Sequence, residues 1–350
     1  MREPTFWRSK SHPLALMLLP VSGLYRLLER AHRFFVKPQH PGKPVICIGN
    51  LTAGGAGKTP TVQYVANYFA AQKKHVAILS RGYGGSLSHK NAPALGVDPT
   101  RHTAAEVGDE PLMLATAFPV FIHPDRFTSL RAALAQGAEI AIKDDGFQNP
   151  AMANHVNLIV IDGASGLGNG YLLPAGPLRQ AVSVSLARTD AVLILGAATH
   201  ASLPALLEAC GARDIPVFHG AVVAQTPSAE LTTRVLAYCG IAKPEKFFTS
   251  LANCGLSLAA QRVFDDHHNF SDAEASALMA EAARLQADLI TTRKDMARLQ
   301  GAAPGSPCQA LADASRVLDI ELKIEEAPRL MTLIENLIET RQANQSYTSY

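Results

Sequence analysis

The segment Val45-Ile46-Cys47-Ile48 runs directly into Gly49-Asn50-Leu51-Thr52-Ala53-Gly54-Gly55-Ala56-Gly57-Lys58-Thr59-Pro60. A short apolar run bounded by turn residues reads as a buried strand. A glycine-rich turn and the start of a helix follow at once. Such a turn aims successive backbone N–H groups at phosphate oxygens, and the helix adds its positive N-terminal end. Lys58 can bridge the β- and γ-phosphates of a nucleotide, and the Thr59 hydroxyl can ligate Mg²⁺. Pro60 falls in the first helical turn, where a missing N–H does no harm. The usual pattern has glycine where this chain has Thr52, so the turn is a variant phosphate loop with Gly54 and Gly55 supplying the flexibility.

A strand that feeds such a turn belongs in a sheet, and the flanking sequence supplies one. Apolar strand candidates at 45–48, 76–79, 120–122, 140–142, 158–161 and 192–195 alternate with helical patterns at 61–72, 110–117, 127–136 and 203–210. Strands apolar on both faces and separated by helices predict a mostly parallel sheet with helices on both faces. A second series follows the polar stretch 225–228, with strands near 235–238, 262–264 and 289–292 and helices near 244–253, 272–285 and 327–342. The expected organisation is an N-terminal helical segment (1–40), a P-loop domain (41–228) and a smaller α/β domain (229–345) closing over the active-site cleft. With 47% hydrophobic and 18% charged residues the chain has material for a real core. A net charge of only +2 gives no support for a nucleic-acid partner. Five scattered cysteines without a CxxC pair argue against a zinc site or a disulfide framework.

The N-terminal segment has its own character. No Asp, Glu, Lys or Arg occurs between Lys10 and Arg26, and residues 14–19 are wholly apolar. Pro20 and Gly23 interrupt the run, which falls short of the roughly 20 apolar residues of a full span. With Arg2, Arg8, Lys10, Arg26, Arg30, Arg33 and Lys37 around it, against Glu3 and Glu29, the segment reads as a membrane-surface anchor, its apolar side in the acyl boundary and its basic side on anionic head groups. The plainer alternative is an amphipathic helix packed on its own domain.

A phosphate loop needs a metal carboxylate at a nearby strand end. Asp144-Asp145 and Asp162 both qualify from their positions. Asp109, in Gly108-Asp109-Glu110-Pro111, could cap the helix that follows it. Asp266-His267-His268 could be a metal site, an acid–base pair or a solvated loop. Arg81, Arg126 and Arg179 are anion-binding candidates.

These blocks together resemble one family, the tetraacyldisaccharide 4′-kinases of lipid A biosynthesis. The resemblance is carried by the phosphate turn, Ser80-Arg81-Gly82-Tyr83-Gly84-Gly85, Gly108-Asp109-Glu110-Pro111, Asp144-Asp145-Gly146-Phe147-Gln148, Leu173-Pro174-Ala175-Gly176-Pro177-Leu178-Arg179 and Asp266-His267, in that order. It implies transfer of the ATP γ-phosphate to the 4′-hydroxyl of a tetraacylated glucosamine disaccharide 1-phosphate, with ATP and Mg²⁺ as cofactors. By the same resemblance, residues 52–59 (Thr52, Ala53, Gly54, Gly55, Ala56, Gly57, Lys58, Thr59) hold the nucleotide. Thr59, Asp144 and Asp145 surround the metal, with Asp145 and Lys58 also catalytic. Asp109 is the base, His267 its partner, and Arg81, Arg126 and Arg179 contact substrate. It further implies a monomer bound peripherally or monotopically to the inner membrane, its active site on the cytoplasmic face, with membrane lipids and the lipid disaccharide as partners. Three positions depart from the family pattern: Asn149 for His, Gln180 for Glu and Arg293 for Glu. The rival classes are a membrane-associated P-loop ATPase switch, which has no use for Asp109 and His267, and a P-loop ligase or metallochaperone.

Overall fold

A computed structural model describes residues 4–55, 57–225 and 234–347. Ala56 of the phosphate turn and residues 226–233, where a domain boundary is expected, lie outside the described residues. In chain order the strands are β1 (Val45–Gly49), β2 (Val76–Ser80), β3 (Leu95–Gly96), β4 (Val120–Ile122), β5 (Ile140–Asp144), β6 (Val156–Asp162), β7 (Ala191–Leu195), β8 (Val217–Ala224), β9 (Arg234–Cys239), β10 (Ser257–Val263), β11 (Asp288–Thr292), β12 (Ser315–Leu318) and β13 (Ile320–Ile324).

Contacts group the chain into two compact units. The larger comprises Glu3–Ser80, Asp125–Val222 and Leu322–Tyr350. Its strands neighbour one another in the order β13-β8-β7-β6-β1-β5-β2. The pairs β1 with β5 and β6, β2 with β5, and β7 with β6 and β8 are all parallel. β1, β2, β5 and β7 are buried at every position, the pattern of a sheet covered on both faces. The helix Lys58–Ala71 buries Thr59, Val62, Ala66 and Phe69 at helical spacing. Cys47, Ile159, Ile161, Val192, Ile194, Leu203 and Leu206 meet in one core cluster.

The smaller unit comprises Arg81–Pro124 and Val223–Glu321. It holds a four-stranded, wholly parallel sheet in the order β10-β9-β11-β12, and the antiparallel pair β3–β4. The helix Asp272–Leu285 covers this sheet through Ala275, Leu278 and Ala282, against Leu236, Tyr238 and Leu289. Ser271 and Glu274 form a capping box at its start. Arg81–Pro124, which sequence places inside a continuous first domain, groups with the C-terminal strands. Composition marks boundaries along a chain, and a unit assembled from separate segments leaves no such mark.

The N-terminal helix spans Pro13–Phe35, started by the His12 ring accepting from Leu14 N–H. Only Ala15 and Ser22 are buried. Met17, Val21, Leu24, Leu28 and Phe35, spaced along one face, are exposed, with Phe35 at 80%. Ser22 anchors the opposite face. Its Oγ donates to Leu172 O at 2.9 Å and accepts from Ala175 N at 3.1 Å. Tyr25 donates to Arg179 O at 2.9 Å. Among the described residues no helix is long and apolar enough to cross a membrane.

Candidate active site

In the larger unit the site is built on the ends of β1 and β5. Their register sets Ile48 beside Asp144, and Asp145 N donates to Ile48 O at 3.1 Å. The turn after β1 is pinned from two sides. Asn50 Nδ2 donates to Gly54 O at 3.0 Å, and Ala53 N donates to Pro177 O at 2.7 Å. Thr52 forms a bridge with Leu178. A residue in this bridge needs extended backbone rather than glycine's freedom, which accounts for threonine here. Gly57 carries the sharp conformation instead, with φ of 85°, and a Cβ there would stand 2.4 Å from Leu195 Cδ1. The helix begins at the next residue, Lys58.

Lys58 and Arg179 converge on Asp145. Lys58 Nζ lies 3.6 Å from Asp145 Oδ2, and Arg179 Nη1 lies 3.0 Å from Oδ2 and 3.2 Å from Oδ1. Burial pushes the Asp145 carboxyl up, but Lys58 and then Arg179 outweigh it and bring it down to about 2. Asp145 has a φ of 57°, a left-handed backbone unusual for a residue with a side chain. Gln148 Nε2 donates to Asn50 O at 2.6 Å, tying the Asp145 loop back to the phosphate turn. Asp144 and Thr59 are buried close by in sequence, at the end of β5 and the start of the helix. Arg126 is buried, its Nη2 4.0 Å from where a Gly146 Cβ would stand. Asp162, the other carboxylate candidate, accepts from Ala164 N and Ser165 N, the bonds of a strand-ending turn.

The smaller unit brings Asp109 and His267 together across 158 residues of sequence. His267 Nδ1 lies 2.9 Å from Asp109 Oδ2. Asp109 is 6% exposed and opens the helix Asp109–Ala115, with Gly108 rather than Asp109 in the capping position. Gly108 has a φ of 92°, and a Cβ there would meet Tyr83 O at 2.7 Å. The Gly82–Gly85 turn therefore lies backbone to backbone against the start of Asp109's helix. It holds the exposed Tyr83 ring 6.4 Å from His267. Arg81, beside this turn, is exposed. His267 itself has a φ of 61°. Burial alone would raise the Asp109 carboxyl. The His267 bond, then Lys294 and Arg298, outweigh it and hold the group well below the usual carboxylate range. Reciprocally, the Asp109 bond raises His267. His268 turns the other way, to Glu274 at 3.1 Å, so the paired histidines do not share a site.

Sequence reasoning missed Arg298. It is 2% exposed by side chain, and its Nε and Nη2 both bond Asp109 Oδ2. Lys294, on the same helix Arg293–Leu299, pairs with Glu110. A helix reading Arg-Lys-Asp-Met-Ala-Arg-Leu looks solvated on most of its surface. The available signal was the spacing of Lys294, Asp295 and Arg298 on one face.

A parallel sheet whose first strand in the chain, β1, feeds a glycine turn and a Lys-Thr helix start, with a neighbouring-strand carboxylate on that lysine, defines a P-loop nucleotide-binding protein. The tetraacyldisaccharide-1-P 4′-kinase (LpxK) family matches residues 14–339. The tetraacyldisaccharide 4′-kinase of Parvibaculum lavamentivorans is 43% identical over 342 residues, 97% of this chain and 98% of its own. That of Nitrobacter winogradskyi is 45% identical over 303 residues, 86% of this chain and 88% of its own. A crystal structure of LpxK from Aquifex aeolicus, described as in complex with ATP, matches with a TM-score of 0.71 at 26% identity, covering 93% of this chain and 99% of that one. The chain belongs to the tetraacyldisaccharide 4′-kinase family.

Proposed function

We propose that this protein transfers the γ-phosphoryl group of ATP to the 4′-hydroxyl of a tetraacylated glucosamine disaccharide 1-phosphate, with Asp109 as the group that receives the hydroxyl proton. The Asp109–His267 pair carries this reading, because a nucleotide switch that only hydrolyses ATP has no need of it. Asp109 Oδ2 is occupied by His267 and Arg298, whereas Oδ1 accepts only from Glu110 N–H among the described residues. Oδ1 therefore has capacity for the acceptor hydroxyl. The hydroxyl oxygen attacks the γ-phosphorus, the bond to the β-phosphate oxygen breaks, and the hydroxyl proton passes to Asp109. Lys58 and the turn N–H groups offset charge on the phosphoryl oxygens.

Mg²⁺ suits the donor set. Thr59, Asp144 and Asp145 offer hard oxygens, and among the described residues no group of three or more His, Cys, Asp or Glu forms a metal cage. Mg²⁺ is commonly held by one or two carboxylates with substrate phosphates and water rather than by an all-protein cage. When bound it neutralises charge on the β- and γ-phosphates. Arg179, held on Asp145, is a candidate phosphate contact once the nucleotide competes for it, and Arg81 and Arg126 are candidates for the substrate's own phosphate.

The exposed stripe of Met17, Val21, Leu24, Leu28 and Phe35, with Arg26 and Arg30 on the same helix, supports peripheral or monotopic attachment to the cytoplasmic face of the inner membrane.

The test is ATP-dependent phosphorylation of the tetraacyl disaccharide 1-phosphate in detergent. Asp109→Ala should lower transfer by roughly 10²-fold or more, the scale of general-base loss, with nucleotide affinity retained. Brisk ATP hydrolysis by the wild type without transfer would favour the switch instead.

A further inference from the structure

Arg298 takes no part in the chemistry above, yet its guanidinium is bonded through all three of its nitrogens. The guanidinium is used from both edges. Nε, at 3.1 Å, and Nη2 bond Asp109 Oδ2. Nη1 donates to Asp295 Oδ1 and to Gly240 O, each at 2.7 Å. Asp295, 0% exposed by side chain, is itself fixed. Its Oδ1 accepts from Gly240 N at 2.9 Å and its Oδ2 from Thr292 Oγ1 at 2.5 Å. Thr292 in turn caps the helix that carries Arg298. A planar fork with four acceptor contacts in three directions has one orientation available to it. Asp109 can turn only by breaking that fork.

We propose that Arg298 is a positioning residue for phosphoryl transfer. It clamps Asp109 Oδ2 so that Oδ1 remains the oxygen available to the acceptor hydroxyl. The inference rests on the assignment of Asp109 as the proton acceptor. It explains why two cationic or polar partners crowd one oxygen and leave the other nearly unused. A carboxylate free to rotate would offer its two oxygens alternately, and a misplacement of 1 Å can cost about 10²-fold in rate. A lysine in this place keeps the charge but presents a single point of donation, so it cannot hold Asp109 and Asp295 in the same geometry.

The charged groups around Asp109 make the role measurable. Lys294, Asp295 and Arg298 act on it from the helix Arg293–Leu299 and His267 from the loop after β10, while Asp266 lies beside His267 and Glu110 pairs with Lys294. Arg298 favours the charged form of Asp109 and disfavours that of His267. Its removal raises both, so the acid limb of the pH–rate profile moves to higher pH.

The experiment measures kcat, KM for ATP and pH profiles in detergent for Arg298→Lys, Arg298→Gln and Asp109→Asn. Arg298→Lys should lower kcat by roughly 10- to 100-fold at neutral pH with KM for ATP unchanged. Arg298→Gln should in addition move the acid limb up by roughly 1 pH unit. Wild-type kcat in Arg298→Lys with an unmoved limb in Arg298→Gln would overturn the proposal. So would equal losses of kcat and thermal stability at every pH, which indicate a structural role alone. Because Arg298→Gln strips a buried carboxylate pair of its cation, the double variant Arg298→Gln/Asp295→Asn serves as the folding control. Folded protein with wild-type kcat refutes the clamp, and folded protein with low kcat supports it. If Asp109→Asn transfers at the wild-type rate, the assignment of Asp109 itself fails. If Asp109→Asn is inactive while the Arg298 variants are normal, only the clamp fails.

Discussion

Replacing Ser22 by alanine tests whether the N-terminal helix does more than meet a membrane. Ser22 is 5% exposed on a helix whose other face is open. Its single hydroxyl donates to Leu172 O and accepts from Ala175 N. Both lie in the loop that leads through Pro177 to Arg179, and that loop also accepts from the phosphate turn at Pro177 O. Alanine leaves the buried Ala175 N–H without its partner and the partly buried Leu172 carbonyl weakened. One unsatisfied buried backbone group costs about 1–3 kcal/mol. With the carbonyl recovering part of its loss from water, the sum is about 2–3 kcal/mol. For a unit of this size each kcal/mol moves Tm by roughly 2–4 °C, so a fall of about 4–12 °C is expected in detergent. The partner measurement uses Met17→Gln/Leu24→Gln, on the exposed face of the same helix. Such surface changes stay within roughly ±0.5 kcal/mol, and Tm should hold. An unchanged Tm in Ser22→Ala, or an equal fall in the exposed-face variant, would refute the division of labour between the two faces. It also follows that deleting residues 1–37 is a poor test of membrane attachment, since it strips the Arg179 loop of its support as well.

The same Met17→Gln/Leu24→Gln variant should co-pellet less with anionic phospholipid vesicles while retaining its transfer rate in detergent; undiminished pelleting would remove the surface-anchor proposal. Asp145→Asn should lose about 2 kcal/mol of stability near pH 7, the value of a carboxyl brought from 3.8 down to about 2. Because the folded-state value is depressed, this contribution is present above about pH 4 and is lost as pH falls toward 2. Denaturant titrations of both proteins should therefore converge on acidification, and a gap that persists at pH 3 at its full neutral size would count against the ion pairs. His267 has the opposite sign: its folded value is raised, so its stabilisation is present below about pH 6.5 and lost as pH rises through the folded value. Comparing His267→Gln with the wild type should show the stability gap closing on the alkaline side.

How much of this was legible in the sequence depended on the distance over which each feature is encoded. The phosphate turn was readable because strand, glycines, Lys58 and Thr59 are contiguous, and local order fixes their meeting. The choice between Asp144-Asp145 and Asp162 was not, since both end apolar strands. What separates them is strand order: β5 and β6 both flank β1, but Asp145 is turned onto Lys58 by a left-handed backbone, while Asp162 spends its carboxylate on its own turn. Asp109 and His267 carried no mutual signal at a separation of 158 residues, and the family resemblance alone paired them. Arg298 lies 189 residues from Asp109 and sits among charges that read as a solvated surface. Its burial depends on Gly240, Asp295 and Asp109 arriving from three segments. β8, β12 and β13 carry no clear signal because their burial is mixed, without the continuous apolar run that marks β1 or β7.

The electrostatics of Asp109 constrain how it acts. A carboxylate held well below its usual range is a weak base toward a sugar hydroxyl, and the proton it shares with His267 belongs on the imidazole, whose value is raised. Early removal of the hydroxyl proton by Asp109 is therefore disfavoured. In a loose phosphoryl-transfer transition state the attacking oxygen forms little bond before the leaving group departs, and its proton becomes strongly acidic only as the new P–O bond develops. Asp109 is suited to that sequence. As the proposed proton acceptor it would align the hydroxyl through a hydrogen bond first and accept the proton late, when the acceptor need not be strong. Positioning would then supply most of the rate. That is consistent with a structure that holds Asp109 by His267, Arg298 and Glu110 N–H at once, and with the expectation that loosening Arg298 costs turnover without weakening the grip on ATP.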